Sequence, residues 1–175
     1  MVMQDDPMFS IRQASIADEK AVFLLASQLS SKFVVNRAAF KAAFQKLVNE
    51  GGVYLRVVET SGQVVAYLLG WCRTAFYSNG PVGWVQEVVV LPSFRRRGLG
   101  RQLMHDFEKW ISEQGGGIVS LAASGSKAFY VALGYAESAS YFKKAIVVNQ
   151  PPDSRSPSVT PPAGTGGAPS VAANH

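Results

Sequence analysis

The chain has 175 residues, of which 47% are hydrophobic and 17% charged, and its formal net charge is +5. That balance suits one soluble globular domain with a substantial core. No stretch approaches the roughly 18 consecutive apolar residues of a membrane-spanning helix. Cys72 is the lone cysteine, which excludes an intrachain disulfide and points to a reducing compartment. The opening MVMQDDPMFS lacks the basic segment and apolar run of a secretory signal, so a cytoplasmic protein is expected. Residues 149–175 are dominated by Pro, Gly and Ser, and from Pro151 onward there is no aromatic side chain. Such a segment cannot bury enough apolar surface to offset its ordering entropy. The expected organisation is a flexible N-terminus over 1–7, one folded domain over 8–148 and a disordered tail over 149–175.

In chain order, Phe9–Ala14 alternates like a short strand, and Ser15 with Asp18 is a capping pair for a helix from Asp18 to Leu29. Asn36 can cap a second helix, Arg37–Asn49, which stops at Gly51-Gly52. Val53–Glu59 and Gln63–Arg73 read as strands joined by a Ser61-Gly62 hairpin turn. Ser78–Pro81 breaks the chain before a strand over Gly83–Val90. A helix over Gly98–Glu113 follows, with Leu99, Leu103, Phe107, Trp110 and Ile111 on one face. After Gly115–Gly117 come a strand over Ile118–Ala122, a short helix over Ser126–Leu133 and a last strand over Ser138–Val147. The order β-α-α-β-β-β-α-β-α-β predicts a mixed α/β (α+β) fold, with a mostly antiparallel sheet of about six strands flanked by four helices.

The positive charge has one address. Asp153 and Arg155 cancel in the tail, and Arg95, Arg96, Arg97 and Arg101 cluster between the Gly83–Val90 strand and the next helix. One compact patch suits a single polyphosphate better than the long basic stripe a duplex requires, so no nucleic-acid partner is expected. Pro92 ends the strand because it has no N–H to donate. Gly98 and Gly100 let backbone approach a ligand, and the first helical amides lack intrahelical acceptors at the positive end of the helix dipole. Backbone amides and arginines together form an anion site; the plainer alternative is a solvated basic helix cap.

Arg95, Gly98 and Gly100 match the Gln/Arg-x-x-Gly-x-Gly/Ala signature, and Phe129-Tyr130-Val131-Ala132-Leu133-Gly134-Tyr135 matches a Phe-Tyr-x-x-x-Gly-Phe/Tyr segment. With these two motifs and the element order, the chain resembles the GCN5-related N-acetyltransferases over nearly all of residues 8–147. The resemblance implies acetyl-CoA as the acetyl donor, and His105, His175 and one cysteine provide no metal constellation. It implies that the backbone of Val88, Val89 and Val90 pairs with the pantetheine arm. The amides of Arg96, Arg97, Gly98, Leu99, Gly100 and Arg101 are then expected to hold the pyrophosphate. Where the family often has a coenzyme-contacting Asn, this chain has Ala123, and Ser124 or Ser126 is the candidate substitute.

Acetyl transfer needs a deprotonated amine, a donor to the developing oxyanion and a proton for the departing thiolate. The resemblance gives the proton to Tyr130 and the oxyanion to the N–H of Val88 or Val89. Tyrosine titrates near ~10 and a thiol near ~8.5, which permits that transfer; otherwise Tyr130 is an ordinary packed aromatic. Glu87 interrupts an apolar strand, and a carboxylate there needs a partner or a shifted pKa, as a general base would have. A solvated or ion-paired face is its other explanation. His105 lies opposite the apolar stripe of its helix, and Cys72 reads as a small core residue. For the acceptor site the resemblance points to Ser30–Arg37 and Phe76–Pro81, with Trp71, Phe76, Tyr77 and Trp84 nearby, although these aromatics equally suit core and hairpin packing. The expected partners are acetyl-CoA and a small amine, with a protein amine as second choice, for a monomer or homodimer. A non-catalytic acetyl-CoA-binding module is the reading from another class.

Overall fold

A computed structural model describes residues 8–29, 34–123 and 125–144. Residues up to 139 belong to one compact unit and those from 140 to a second. The sheet is built in chain order: β1 (Ser10–Gln13), β2 (Val53–Thr60), β3 (Gln63–Ala75), β4 (Gly80–Val90) and β5 (Ile118–Leu121) lie side by side in that sequence. The first four are antiparallel neighbours, and β5 runs parallel to β4. The β2–β3 hairpin turns at Ser61 and Gly62, whose φ angles of 48° and 75° suit a tight turn matched to strand twist.

Two helices, α1 (Glu19–Ala26) and α2 (Arg37–Leu47), pack on one face of the sheet. Both have the expected starts. The Asp18 carboxylate accepts the backbone N–H of Ser15 at 2.7 Å and its hydroxyl at 3.0 Å, while Asn36 Oδ1 accepts from Ala39 N–H at 2.9 Å. A longer helix, α3 (Leu99–Glu113), covers the opposite face and buries Leu99, Leu103, Met104, Phe107 and Ile111. That stripe follows the 3.6-residue period, and each buried side chain contributes roughly 1.5–3 kcal/mol of apolar transfer. The short α4 (Lys127–Val131) follows β5.

Among the described residues the sheet has five strands, not about six. The last strand, expected over Ser138–Val147, does not form over Ser138–Lys144, and residues 145–147 lie outside the described residues. Alternation along the chain supplies a face, but a strand also needs a neighbour's backbone to complete its ladder. The expected flexible terminus over 1–7 and disordered tail over 149–175 lie wholly outside the described residues. The β4 strand also begins earlier than predicted, at Gly80, because the Ser78–Pro81 break is a turn with Asn79 left-handed (φ 54°) that leads straight into the hairpin ladder.

The β3–β4 pairing carries one irregularity. Leu69 faces Glu87 and Gly70 faces Val85, so Gln86 is an extra residue, a β-bulge. Gly83 and Val85 lie against α3 before the bulge, and Val88 and Val90 do so after it. The side-chain phase of the strand has shifted by one, and Glu87 with Val89 now belongs to the α1–α2 face.

Candidate active site

The ladder between β4 and β5 ends where Val85 meets Leu121, yet β4 continues to Val90. The two parallel strands therefore part beyond the bulge. Leu91 N–H donates to Val65 O at 2.9 Å, just past the Ala66–Val90 register. By antiparallel alternation Val89 hydrogen-bonds towards β3, and the N–H and C=O groups of Val88 and Val90 turn to the edge that β5 has left. One of these, Val90 O, accepts the Arg95 side-chain Nε at 3.1 Å, which ties the following turn to the strand end.

That turn runs from Pro92 into α3. Arg96 is left-handed at φ 61°, and Gly98, at φ 80°, is the helix N-cap with no side-chain acceptor. The first helical bond is from Gln102 N–H to Gly98 O at 2.9 Å, so the amides of Leu99, Gly100 and Arg101 have no acceptor within the helix. The arginines are exposed, and the Arg97 guanidinium lies 5.2 Å over the Phe94 ring. Helix polarity, free amides and four cations make the strand-to-helix turn an anion cradle. At Gly100, a Cβ would come within 3.2 Å of Phe129, so the missing side chain is what lets α4 close against the start of α3.

Tyr130 follows Phe129 on α4 and packs against the α3-side core. Its ring packs edge-on to Phe129 at 5.0 Å and to Tyr135 at 6.1 Å. Burial pushes its hydroxyl pKa up. Tyr135 in turn donates to Glu108 Oε1 on α3 at 2.7 Å, which fixes the segment that follows α4. Ser126 is the exposed N-cap of α4, with no capping hydrogen bond from its side chain, and Ser124 lies outside the described residues.

On the other face, Glu87 reaches a cavity of about 280 Å³ between the sheet and the α1–α2 pair, lined by Val22, Phe40, Phe44, Leu55, Leu69 and Tyr67 among others. Tyr67 is buried, and its hydroxyl donates to Glu87 Oε2 at 2.7 Å. Burial first, then the neighbouring carboxylate, raises the Tyr67 pKa, so it stays a donor. The carboxylate thus has the partner that an apolar strand required of it. Sequence reasoning missed Tyr67. The hairpin register would have placed it diagonal to Glu87, but only once the bulge was known.

The acetyltransferase (GNAT) family matches residues 22–135. This chain belongs to that family. It is therefore an acetyl-CoA-dependent acetyltransferase. The aminoalkylphosphonate N-acetyltransferase of Salmonella typhimurium is 26% identical over 144 residues, covering 80% of this chain and 93% of that protein. Among solved structures, glucosamine-6-phosphate N-acetyltransferase from Arabidopsis thaliana superposes with TM-score 0.70 at 25% identity, covering 80% of this chain and 99% of the other. An aminoglycoside antibiotic 6'-N-acetyltransferase from Acinetobacter haemolyticus has TM-score 0.66 at 26% identity, covering 79% and 99%.

Among the other candidate residues of this acetyltransferase, Val35 of the Ser30–Arg37 stretch lines the cavity, while His105 is exposed, with Nδ1 3.8 Å from Glu108 Oε2. Cys72 packs against the α3-side core, and burial raises its thiol pKa. None of Trp71, Phe76, Tyr77 and Trp84 lines the cavity; Phe76 and Tyr77 stand exposed at the far end of the β3–β4 hairpin. Ser30–Phe33 lie outside the described residues.

Proposed function

We propose that this acetyltransferase moves the acetyl group of acetyl-CoA to the primary amine of a small molecule, by direct attack in a ternary complex. The observation that carries this reading is Glu87, held by Tyr67 in an otherwise apolar cavity, next in sequence to a strand residue whose N–H faces the open edge. A general base and an oxyanion donor on adjacent residues are what amide formation from a thioester requires.

In this reading the amides from Arg96 to Arg101 and the arginines around them hold the pyrophosphate, with Arg95 fastening the turn to Val90 O. Val88 and Val90 offer edge hydrogen bonds to the pantetheine arm, and Ser126 is assigned a further contact to the coenzyme. Of the two amides considered for the oxyanion, Val88 N–H is assigned the role, because Val89 is engaged towards β3. Glu87 takes the proton of the acceptor ammonium, and Tyr130 gives its proton to the departing sulfur. A raised tyrosine pKa suits that second role, since the acid stays protonated across the working pH range. The three relatives act, by their names, on an aminoalkylphosphonate, glucosamine-6-phosphate and aminoglycosides. All are small molecules, which favours a small acceptor over a protein.

The test is thiol release from acetyl-CoA by the purified full chain, with amines, amino acids and short peptides as acceptors. Release with small amines is expected. Release only with peptides would make it a protein acetyltransferase, and coenzyme binding with no release would make it a sensor module.

A further inference from the structure

We infer that the acceptor is a monocationic primary amine on a compact apolar body, such as an arylalkylamine or a short alkylamine. Its body lies in the Phe40–Phe44–Leu69 cavity and its ammonium sits at Glu87. This rests on the proposed transfer to a small amine and adds the chemical class of the acceptor to it.

Size, lining and charge all select in the same direction. A volume of about 280 Å³, at ~30 Å³ per water-sized group, holds roughly nine heavy atoms. That accommodates one ring with a short amine arm, whereas a multi-ring aminoglycoside is several times larger. The walls are supplied by Val22, Phe40, Phe44, Leu55 and Leu69, which reward an apolar body and offer no hydrogen bonds to sugar hydroxyls. Polar chemistry is confined to one spot. Tyr67 donates to Oε2 of Glu87, leaving Oε1 to receive an ammonium.

Charge excludes the acceptors named for the relatives. Glu87 is the one charged residue that lines the cavity, among the described residues. On α2, Arg37 is committed elsewhere, with Nη2 2.8 Å from Glu19 Oε1 and its guanidinium 4.5 Å over the Phe23 ring. A phosphonate or phosphate monoester would bring a second anion into apolar surroundings whose described residues supply a carboxylate and no cation. A polycation would bring charges beyond the one Glu87 can pair. A single ammonium on an apolar body matches the site without remainder.

Transfer on such an acceptor balances with the groups present. The amine nitrogen forms a bond to the acetyl carbon as the carbon–sulfur bond breaks. One ammonium proton leaves through Glu87 to water. The second surplus proton on nitrogen restores the one that Tyr130 gives to sulfur, so the products are the amide, the free thiol and one released proton.

The decisive experiment compares kcat/KM by thiol release for 2-phenylethylamine, hexylamine, ethylamine, 2-aminoethylphosphonate, glucosamine 6-phosphate and neamine, using the full chain. Burial of a ring or an added alkyl chain should raise phenylethylamine and hexylamine about 10- to 100-fold above ethylamine, with the phosphorylated and polycationic amines at or below ethylamine. Filling the cavity from the exposed Ala43, by Ala43→Phe, should cut the phenylethylamine-to-ethylamine ratio about tenfold. Faster acetylation of the phosphonate, the sugar phosphate or neamine than of phenylethylamine overturns the inference while leaving transfer to small amines intact. So does a phenylethylamine-to-ethylamine ratio near one. Coenzyme binding with no thiol release for any amine sinks the transfer reading itself, and this inference with it.

Discussion

The two faces of the sheet do different work. Against α3 the packing is closed: Phe107 meets Tyr54 edge-on at 5.1 Å, and Tyr54 and Arg56 both donate to Asp106 across the β2–α3 gap, Arg56 at 2.7 Å. Against α1 and α2 a cavity remains, with a carboxylate in it. A single inserted residue separates these environments. Were Gln86 paired like its neighbours, strict alternation from Gly83 and Val85 would aim Glu87 into the Phe107 core and turn Val88 away from it. The bulge keeps valines on the closed face, delivers an acid to the open one, and lies where β4 parts from β5. Stability and the proposed acceptor chemistry share one strand because its phase changes midway.

The most severe way to break this contrast is to put an acid on the closed face by Val85→Glu, since Val85 is buried there against α3. A carboxylate in that apolar core should cost about 4 kcal/mol or more, read as a collapse of the denaturation midpoint. A Val85→Glu variant of unchanged stability would show that the two faces do not differ in this way. Phe107→Ala attacks the closed face alone. It should cost about 3–5 kcal/mol in chemical denaturation, while coenzyme affinity of the folded fraction stays near wild type by calorimetry.

Changes in the cleft should do the opposite, sparing the fold and removing turnover. Tyr130→Phe is expected to lower kcat by ~10²-fold or more, an effect of about 2.7 kcal/mol on the barrier, with the CoA dissociation constant unchanged. The pH profile sharpens this. Tyr130 acts while protonated and its pKa is raised by burial. Wild-type kcat should therefore hold up to or beyond pH ~10, the ordinary tyrosine value, before an alkaline fall that the Phe variant lacks. The smallest effect belongs to Tyr67→Phe. Loss of the hydrogen bond that orients Glu87 should reduce kcat/KM for the amine about tenfold, leaving KM for acetyl-CoA in place; equal losses on both substrates would mean that Tyr67 serves the fold and not the base.

Local chemistry made much of this molecule legible from residues alone. The amphipathic stripe of α3, the Asn36 cap, the Ser61-Gly62 turn and the glycine-arginine turn after β4 each depend on neighbours within a few positions. What escaped depends on pairing across the chain. A bulge is a mismatch between two strands, so nothing in Val85-Gln86-Glu87 announces it, and Tyr67 becomes a partner for Glu87 only through that mismatch. Gly100 looked like room for a ligand, but its bare Cα also receives Phe129 from α4. The segment after Ser138 read as a strand although no ladder forms over Ser138–Lys144. Trp71, Phe76, Tyr77 and Trp84 do not line the cavity, because it arises between helices and sheet and not at the hairpin tip.

That the open face receives the acceptor is tested most directly by a crystal structure of the chain with CoA and 2-phenylethylamine bound together. The amine nitrogen is expected within about 2.6–3.2 Å of a Glu87 carboxylate oxygen, the ring between Phe40, Phe44 and Leu69, and the pyrophosphate at the amides after Phe94. An amine found at Trp71, Tyr77 and Trp84, with Glu87 bonded to Tyr67 alone, would contradict it.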